Sequence, residues 1–176
     1  MVSLSFVFWM YVFLFSIIGG MRGWAKEMLV SFSVILALTF VTLISNYVPF
    51  VRDVLQKDNP ALYFWFRAAT LGLLVFFGYQ TPNISRFAPK MNREKLQDSI
   101  LGVFLGALNG YLIAGTIWFY MKDAGYPFAN IIAPPTGDLA KLADAMLQYM
   151  PPRLLGIPGI YFAVVIAFMF VIVVFI

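Results

Sequence analysis

Five stretches of this chain run long enough with no charged residue, or with a single one, to cross a lipid bilayer, and nothing else in the sequence constrains the fold as strongly. A hydrocarbon core about 30 Å thick needs ~20 mostly apolar residues in a helix. Met1–Met21 carries no charge and ends at Arg22, and Met28–Val51 runs from Glu27 to Arg52. Ala61–Ser85 is broken only by Arg67, Ser99–Met121 lies between Asp98 and Lys122, and Leu154–Ile176 closes the chain. With 62% hydrophobic and 11% charged residues, there is more apolar surface than one globular core could bury. Backbone exposed to lipid must satisfy its own hydrogen bonds, so each run is read as a helix. The expected fold class is an all-α polytopic membrane protein with about five transmembrane helices and one interfacial amphipathic helix.

The chain has no Cys and no His. Disulfides, cysteine nucleophiles, thiolate or imidazole metal sites, Ser-His-Asp triads and histidine-ligated haem or chlorophyll are thereby excluded. No span holds an Asp or Glu well inside it, which argues against an intramembrane aspartyl protease and an ordinary proton-coupled carrier. The sequence therefore points to no enzyme activity, no cofactor and no nucleic-acid partner. Its expected partners are the lipid bilayer and either other membrane proteins or further copies of itself.

The first run has no basic leader and no small-residue cleavage site, so it is read as a retained helix. The fifth ends at Ile176 with no charge or aromatic anchor on its far side, an ending expected of a chain that continues. Gly19-Gly20-Met21-Arg22-Gly23-Trp24 is short enough to force an antiparallel hairpin between the first two helices. In Asp58-Asn59-Pro60, Asn59 is placed to cap the third helix with Pro60 at its first position. Thr81-Pro82-Asn83 should stop that helix, and Asn92-Arg93-Glu94 should begin an amphipathic lead-in to the fourth. Between Asp138 and Met150, Leu139, Leu142, Met146, Leu147 and Met150 fall at helical spacing. That helix either lies in the membrane interface or packs on the outer mouth of the bundle. Trp9, Trp24, Trp65 and Trp118 lie mostly near span ends, as an aromatic belt requires.

Three constellations stand out. Asp98-x3-Gly102-x3-Gly106-x3-Gly110 stacks its glycines on one face of the fourth helix, a groove almost free of side chains that another backbone can enter closely. A lining for a narrow path or a slot for a flat cofactor is the functional alternative. Asn109, at the flank of that groove, is placed for an interhelical hydrogen bond. At the hairpin, Glu27 falls in the first turn of the second helix, where the macrodipole favours a carboxylate, and Arg22 is near enough to pair with it. The pair either holds the turn or forms, with Gly23 and the loop before Asp98, a binding patch. Arg67 is the one charge inside a span; seven residues past Pro60, it is expected to snorkel to the headgroups rather than serve a site.

The hairpin motif Gly20-x-Arg22-Gly23-x3-Glu27 after a first span, followed by a third span and Asp98-x2-Leu101-Gly102-x3-Gly106-Ala107-x2-Gly110, resembles the colicin V production (CvpA) family of bacterial inner-membrane proteins. The likeness covers roughly Met1 to Met121. It implies a four-helix membrane unit associated with colicin V production and with envelope and biofilm phenotypes, a unit that also anchors periplasmic proteases. By that resemblance Arg22, Gly23 and Glu27 belong to the hairpin motif, and Asp98, Gly102, Gly106 and Gly110 to the fourth-helix motif. Ser5, Ser99 and Asn109 stand where the family often carries charged residues, which weakens any charge-dependent activity carried over.

The expected organisation is a CvpA-like four-helix unit over 1–121, an extracytoplasmic loop with the amphipathic helix over 122–156 and an additional C-terminal transmembrane helix over 157–176. Three functions fit: a scaffold or assembly protein, an accessory subunit of a larger membrane complex, and a channel or transporter component working as an oligomer. Orientation follows from Lys/Arg density in the loops. Arg22, Lys26, Arg86, Lys90, Arg93 and Lys95 crowd two compact loops on one side. Arg52, Lys57, Lys122, Lys141 and Arg153 are spread through longer loops on the other and offset by five aspartates, Asp53, Asp58, Asp123, Asp138 and Asp144. The dense side is expected in the cytoplasm and the N-terminus outside. With no native Cys to give background, a membrane-impermeant thiol reagent should label Ser85→Cys only from the cytoplasmic side and Asn130→Cys only from outside; the reverse pattern would invert the orientation.

Overall fold

The protein is described here from a computed structural model covering residues 3–80, 92–128, 132 and 134–175, with side chains left undescribed at 92–94 and 174–175. Six helices set the architecture of these residues: α1 Leu4–Arg22, α2 Trp24–Tyr47, α3 Pro60–Tyr79, α4 Asn92–Asp123, α5 Asp138–Leu147 and α6 Gly159–Phe175. No strand occurs among the described residues. Four helices are long and apolar enough to cross a membrane, spanning Leu4–Arg22, Trp24–Tyr47, Pro60–Tyr79 and Lys95–Asp123, and a shorter apolar helix follows near the C-terminal end. The chain is a multi-pass, all-α membrane protein.

The helix ends follow local chemistry. Ser3 Oγ accepts the Phe6 N–H at 3.2 Å and opens α1. Asn59 Oδ1 accepts the Leu62 N–H at 3.2 Å with Pro60 at the first helical position, so α3 starts where the turn signal falls. The helix begins at Asn92, as the lead-in signal places it, and runs on unbroken: α4 is one continuous helix of 32 residues, and at 1.5 Å per residue its ~48 Å overshoots the hydrocarbon core. The link between α2 and α3 is more ordered than a turn. It winds as a π-helical stretch, Phe50–Leu55, and a helical continuation, Gln56–Asp58. There Asp53 accepts from Arg52 and Lys57, which hold its carboxyl down to about 2. The expected stop at Thr81-Pro82-Asn83 lies outside the described residues.

The C-terminal apolar run is only partly helical. Pro151–Leu154 forms a turn of its own, and Pro158 precedes α6, whose 17 residues make it shorter than the other apolar helices. At ~25 Å it sits at the lower limit for crossing a bilayer.

Packing departs from a simple hairpin. A single residue, Gly23, separates α1 from α2, yet α1 lies chiefly along α4 and touches α2 little. The cause is the glycine face of α4. A Cβ on Gly102 would stand 2.3 Å from the Gly19 carbonyl oxygen, one on Gly106 2.3 Å from that of Phe15, and one on Gly110 2.8 Å from the Val12 Cα. Backbone therefore rests on backbone, and Gly19 reciprocates from α1, where an added Cβ would meet the Gly102 oxygen at 2.2 Å. On its other side α2 packs against α3, α4 and α6 around Val34, Ala37, Leu38, Leu71, Leu112 and Ile160.

The amphipathic helix α5 seats on the end of the bundle. Ala143 and Leu147, followed by Met150, pack with Phe8 and Trp118, and Gly115 leaves room for the Met150 sulfur. Of the expected apolar stripe, Leu139 and Leu142 stay exposed, because α5 turns the Ala143–Leu147 edge inward instead. Trp118 is consequently core rather than belt, while Trp9 and Trp65 remain exposed.

Two single-methyl substitutions separate the glycine seam from ordinary helix positions. Gly106→Ala forces a Cβ against the α1 backbone and should lower stability in detergent by about 1–3 kcal/mol. Gly72→Ala on α3 meets none of the described residues within 4 Å and should leave the melting midpoint unchanged or raise it. Equal midpoints for the two variants would show that the glycine face is not a packing seam.

Candidate functional site

A polar cluster lies where α1 hands over to α2. Gly23 has φ +86°, a conformation side-chain-bearing residues resist, and its N–H closes α1 on the Gly19 carbonyl at 2.9 Å. Lacking a side chain, Gly23 cannot cap α2. Asp98 of α4 does so from across the seam, accepting the Trp24 N–H on Oδ1 at 2.9 Å. A Cβ at Gly23 would stand 2.5 Å from the other carboxylate oxygen, so the glycine is needed for space as well as for its dihedral. One residue on, Ser99 donates to the Gly20 carbonyl at 2.8 Å.

Glu27 sits one turn inside α2 and is fully buried. Its Oε1 accepts from Arg22 Nη1 at 2.8 Å and its Oε2 from Asn109 Nδ2 at 2.8 Å. Asn109, also fully buried, donates to the Glu27 carbonyl at 2.9 Å and accepts the Ser31 hydroxyl on Oδ1 at 2.7 Å. Arg22 in turn donates to the Tyr79 carbonyl at 3.1 Å, and its guanidinium lies 4.2 Å from the centre of the Tyr79 ring. A cation at the last residue of α3 complements the negative end of that helix. Arg22, Gly23, Glu27, Asp98 and Asn109 are thus brought together, joined by Ser31 and Tyr79. The glycines Gly102, Gly106 and Gly110 lie outside the cluster, and their groove is occupied by α1, leaving no room there for a flat cofactor.

Arg67 departs from the expected snorkelling. It is 4% exposed, donates from Nη1 to Asp123 Oδ2 at 2.7 Å, and stands 4.0 and 4.4 Å from the ring centres of Tyr63 and Tyr120. The last residue of α4 brings a carboxylate to the level the side chain can reach, and pairing within the bundle supplants the reach to the headgroups. The pair also fastens α3 to α4. Tyr63 donates to Ser45 at 2.8 Å and adds α2 to the same knot.

Ser31, Tyr79, Tyr63, Tyr120 and Asp123 were not singled out by the sequence. Some signals exist: Ser31 is one helical turn from Glu27, Tyr63 one turn from Arg67, and Asp123 is the first acid beyond the fourth run. Tyr79 gives no comparable signal, since it joins through its backbone carbonyl and ring. Among the described residues no group of three or more His, Cys, Asp or Glu gathers as a metal site would require.

Burial changes the energetics expected of the hairpin pair. Water at the interface would limit an exposed Arg–Glu pair to about 1 kcal/mol. Here the carboxylate is out of water and the arginine side chain is 18% exposed, so removing either partner strands the other. Arg22→Ala and Glu27→Ala should each lose about 3–5 kcal/mol, while the double variant loses clearly less than the sum, with a coupling above that exposed-pair limit. Additive losses in thermal or denaturant melts would show that the pair is not the fastening.

A family model described as "Colicin V production protein" matches residues 4–133, which takes in α1 to α4 and with them every residue of the two clusters. No curated protein and no solved structure matches the chain. With most of its length matched, and with the hairpin and glycine-helix motifs meeting at one buried cluster, the chain belongs to the colicin V production protein family.

Proposed function

We propose that this protein is a non-catalytic scaffold or assembly protein of the bacterial cytoplasmic membrane, with its N-terminus outside. The observation that carries the reading is the use to which the buried charges are put. Glu27, Arg22 and Arg67 are each engaged by side chains or carbonyls from other helices, so their chemistry goes into fixing helix positions. Between the two polar knots lies an apolar layer of Val34, Ala37, Leu38, Leu71 and Leu112, which opposes a water-filled path through a single chain. The family match supports the inner-membrane reading, and the Lys/Arg density around the hairpin supports the orientation.

A second reading, an accessory subunit of a larger membrane complex, is favoured by α6. It falls outside the matched residues, is apolar on all sides, and touches the bundle mainly along α2, where Phe168 meets Phe32 edge-on at 4.9 Å between ring centres. Phe162, Ile166 and Met169 remain exposed on it.

Purification in mild detergent with mass measurement of the whole particle separates these readings. The scaffold reading expects copies of this chain without a stoichiometric foreign subunit, and vesicles carrying the protein that show no ion flux above empty ones. A foreign chain at fixed stoichiometry would transfer the assignment to the accessory subunit. Flux dependent on the protein would transfer it to an oligomeric channel.

A further inference from the structure

Arg67 carries more hydrogen-bonding capacity than the fold uses. A guanidinium presents five N–H donors in a planar fork. Here the Tyr63 and Tyr120 rings lie against it, Nη1 donates to one oxygen of Asp123, and Nη2 reaches the Tyr120 carbonyl only at 3.4 Å. Its Nε–H is buried and has no partner among the described residues. The Asp123 contact is one-sided, and the edge formed by Nε and Nη2, which suits a two-oxygen anion, is left underused.

Arg67 lines a pocket of about 200 Å³, open on one side, at the end of the bundle where α2 finishes and α3 begins. Ser45, Asn46, Gln56 and Tyr120 also line it, and none of the described residues in the lining is acidic. Ser45 accepts from Tyr63 and so keeps its own hydroxyl proton to give, and the amides of Asn46 and Gln56 add further donors. A carboxylate is already supplied beside the pocket by Asp123. What the donors lack is an acceptor with several anionic oxygens.

We propose that this pocket binds a phosphate group, held by the Nε–Nη2 edge of Arg67 and surrounded by Ser45, Asn46 and Gln56. Four oxygens on one centre can take the guanidinium fork and the amides together, and pairing the buried Nε–H removes an unsatisfied donor. The pocket opens at a bundle end, where a phospholipid headgroup and a free phosphate can both arrive.

The test uses the full chain in mild, lipid-depleted detergent, with the melting midpoint as readout. One arm titrates sodium phosphate against sodium chloride at equal ionic strength. The other titrates dihexanoyl phosphatidylglycerol against dihexanoylglycerol, which has the same tails and no phosphate. A saturable rise in the first arm identifies a free phosphate, and one in the second arm alone identifies a headgroup; either supports the site. Arg67→Lys keeps a cation beside Asp123 but removes the fork edge, and should weaken the response about tenfold. If that variant does not fold, Gln56→Leu decides, because it leaves the Arg67–Asp123 pair in place and should also weaken the response. No rise above either control, or an unchanged response in the deciding variant, means the pocket holds only water and overturns the proposal.

Discussion

A carboxylate buried in a lipid-embedded bundle is the constraint from which the rest of this structure can be understood. Moving an ion out of water is expensive by several kcal/mol, so Glu27 persists only where a cation and hydrogen-bond donors reach it together. It receives Arg22 from the end of α1 and Asn109 from α4, and Arg22 extends the connection to the last carbonyl of α3. Four helices meet at one ion pair. None could turn or slide by a residue without withdrawing a partner from the carboxylate or the guanidinium.

That meeting depends on how closely α1 approaches α4. Asn109 lies within the Gly102–Gly110 stretch, and the glycines to either side of it let the α1 backbone lie directly on the α4 backbone. Larger residues there would hold α1 away and carry Arg22 out of range of Glu27. The seam and the cluster are thus two parts of one device, in which dispersion along the glycines supplies attraction and the ionic contact supplies position. Asp98 completes it by capping α2 from the same helix that carries the seam. At the other end of the bundle, Arg67 and Asp123 repeat the pattern with aromatic rings in place of amides. Polar contacts hold both ends, and the apolar layer fills the space between.

Much of this was legible in the sequence because lipid simplifies the reading. Charge-free runs mark helices, a four-residue glycine repeat marks close approach, and an acid in a first turn near an arginine marks a pair. The Asn59-Pro60 start of α3 and the amide role of Asn109 follow from local chemistry alone. What escaped depends on relations between distant segments. The burial of Arg67 is set by Asp123, 56 residues away, and by where α4 ends relative to α3. The inward edge of α5 is set by the positions of Phe8 and Trp118, which periodicity within α5 does not record. The preference of α1 for α4 over α2 is set by the depth of the glycine groove, which outweighs adjacency in the chain.

The two knots differ in a way that bears on how such a bundle can respond to its surroundings. At the hairpin every polar atom of Glu27 and Asn109 that takes part is met by protein, and the acid is fully buried, so water has nothing to add. At the other end Asp123 is 47% exposed, the guanidinium keeps an Nε–H with no partner among the described residues, and a polar pocket opens beside it. The first arrangement is closed and acts as a fixed point for the helices. The second combines a fixed charge with unused donors and an opening toward the bundle end, so the same residue types that lock one end leave the other able to receive a partner.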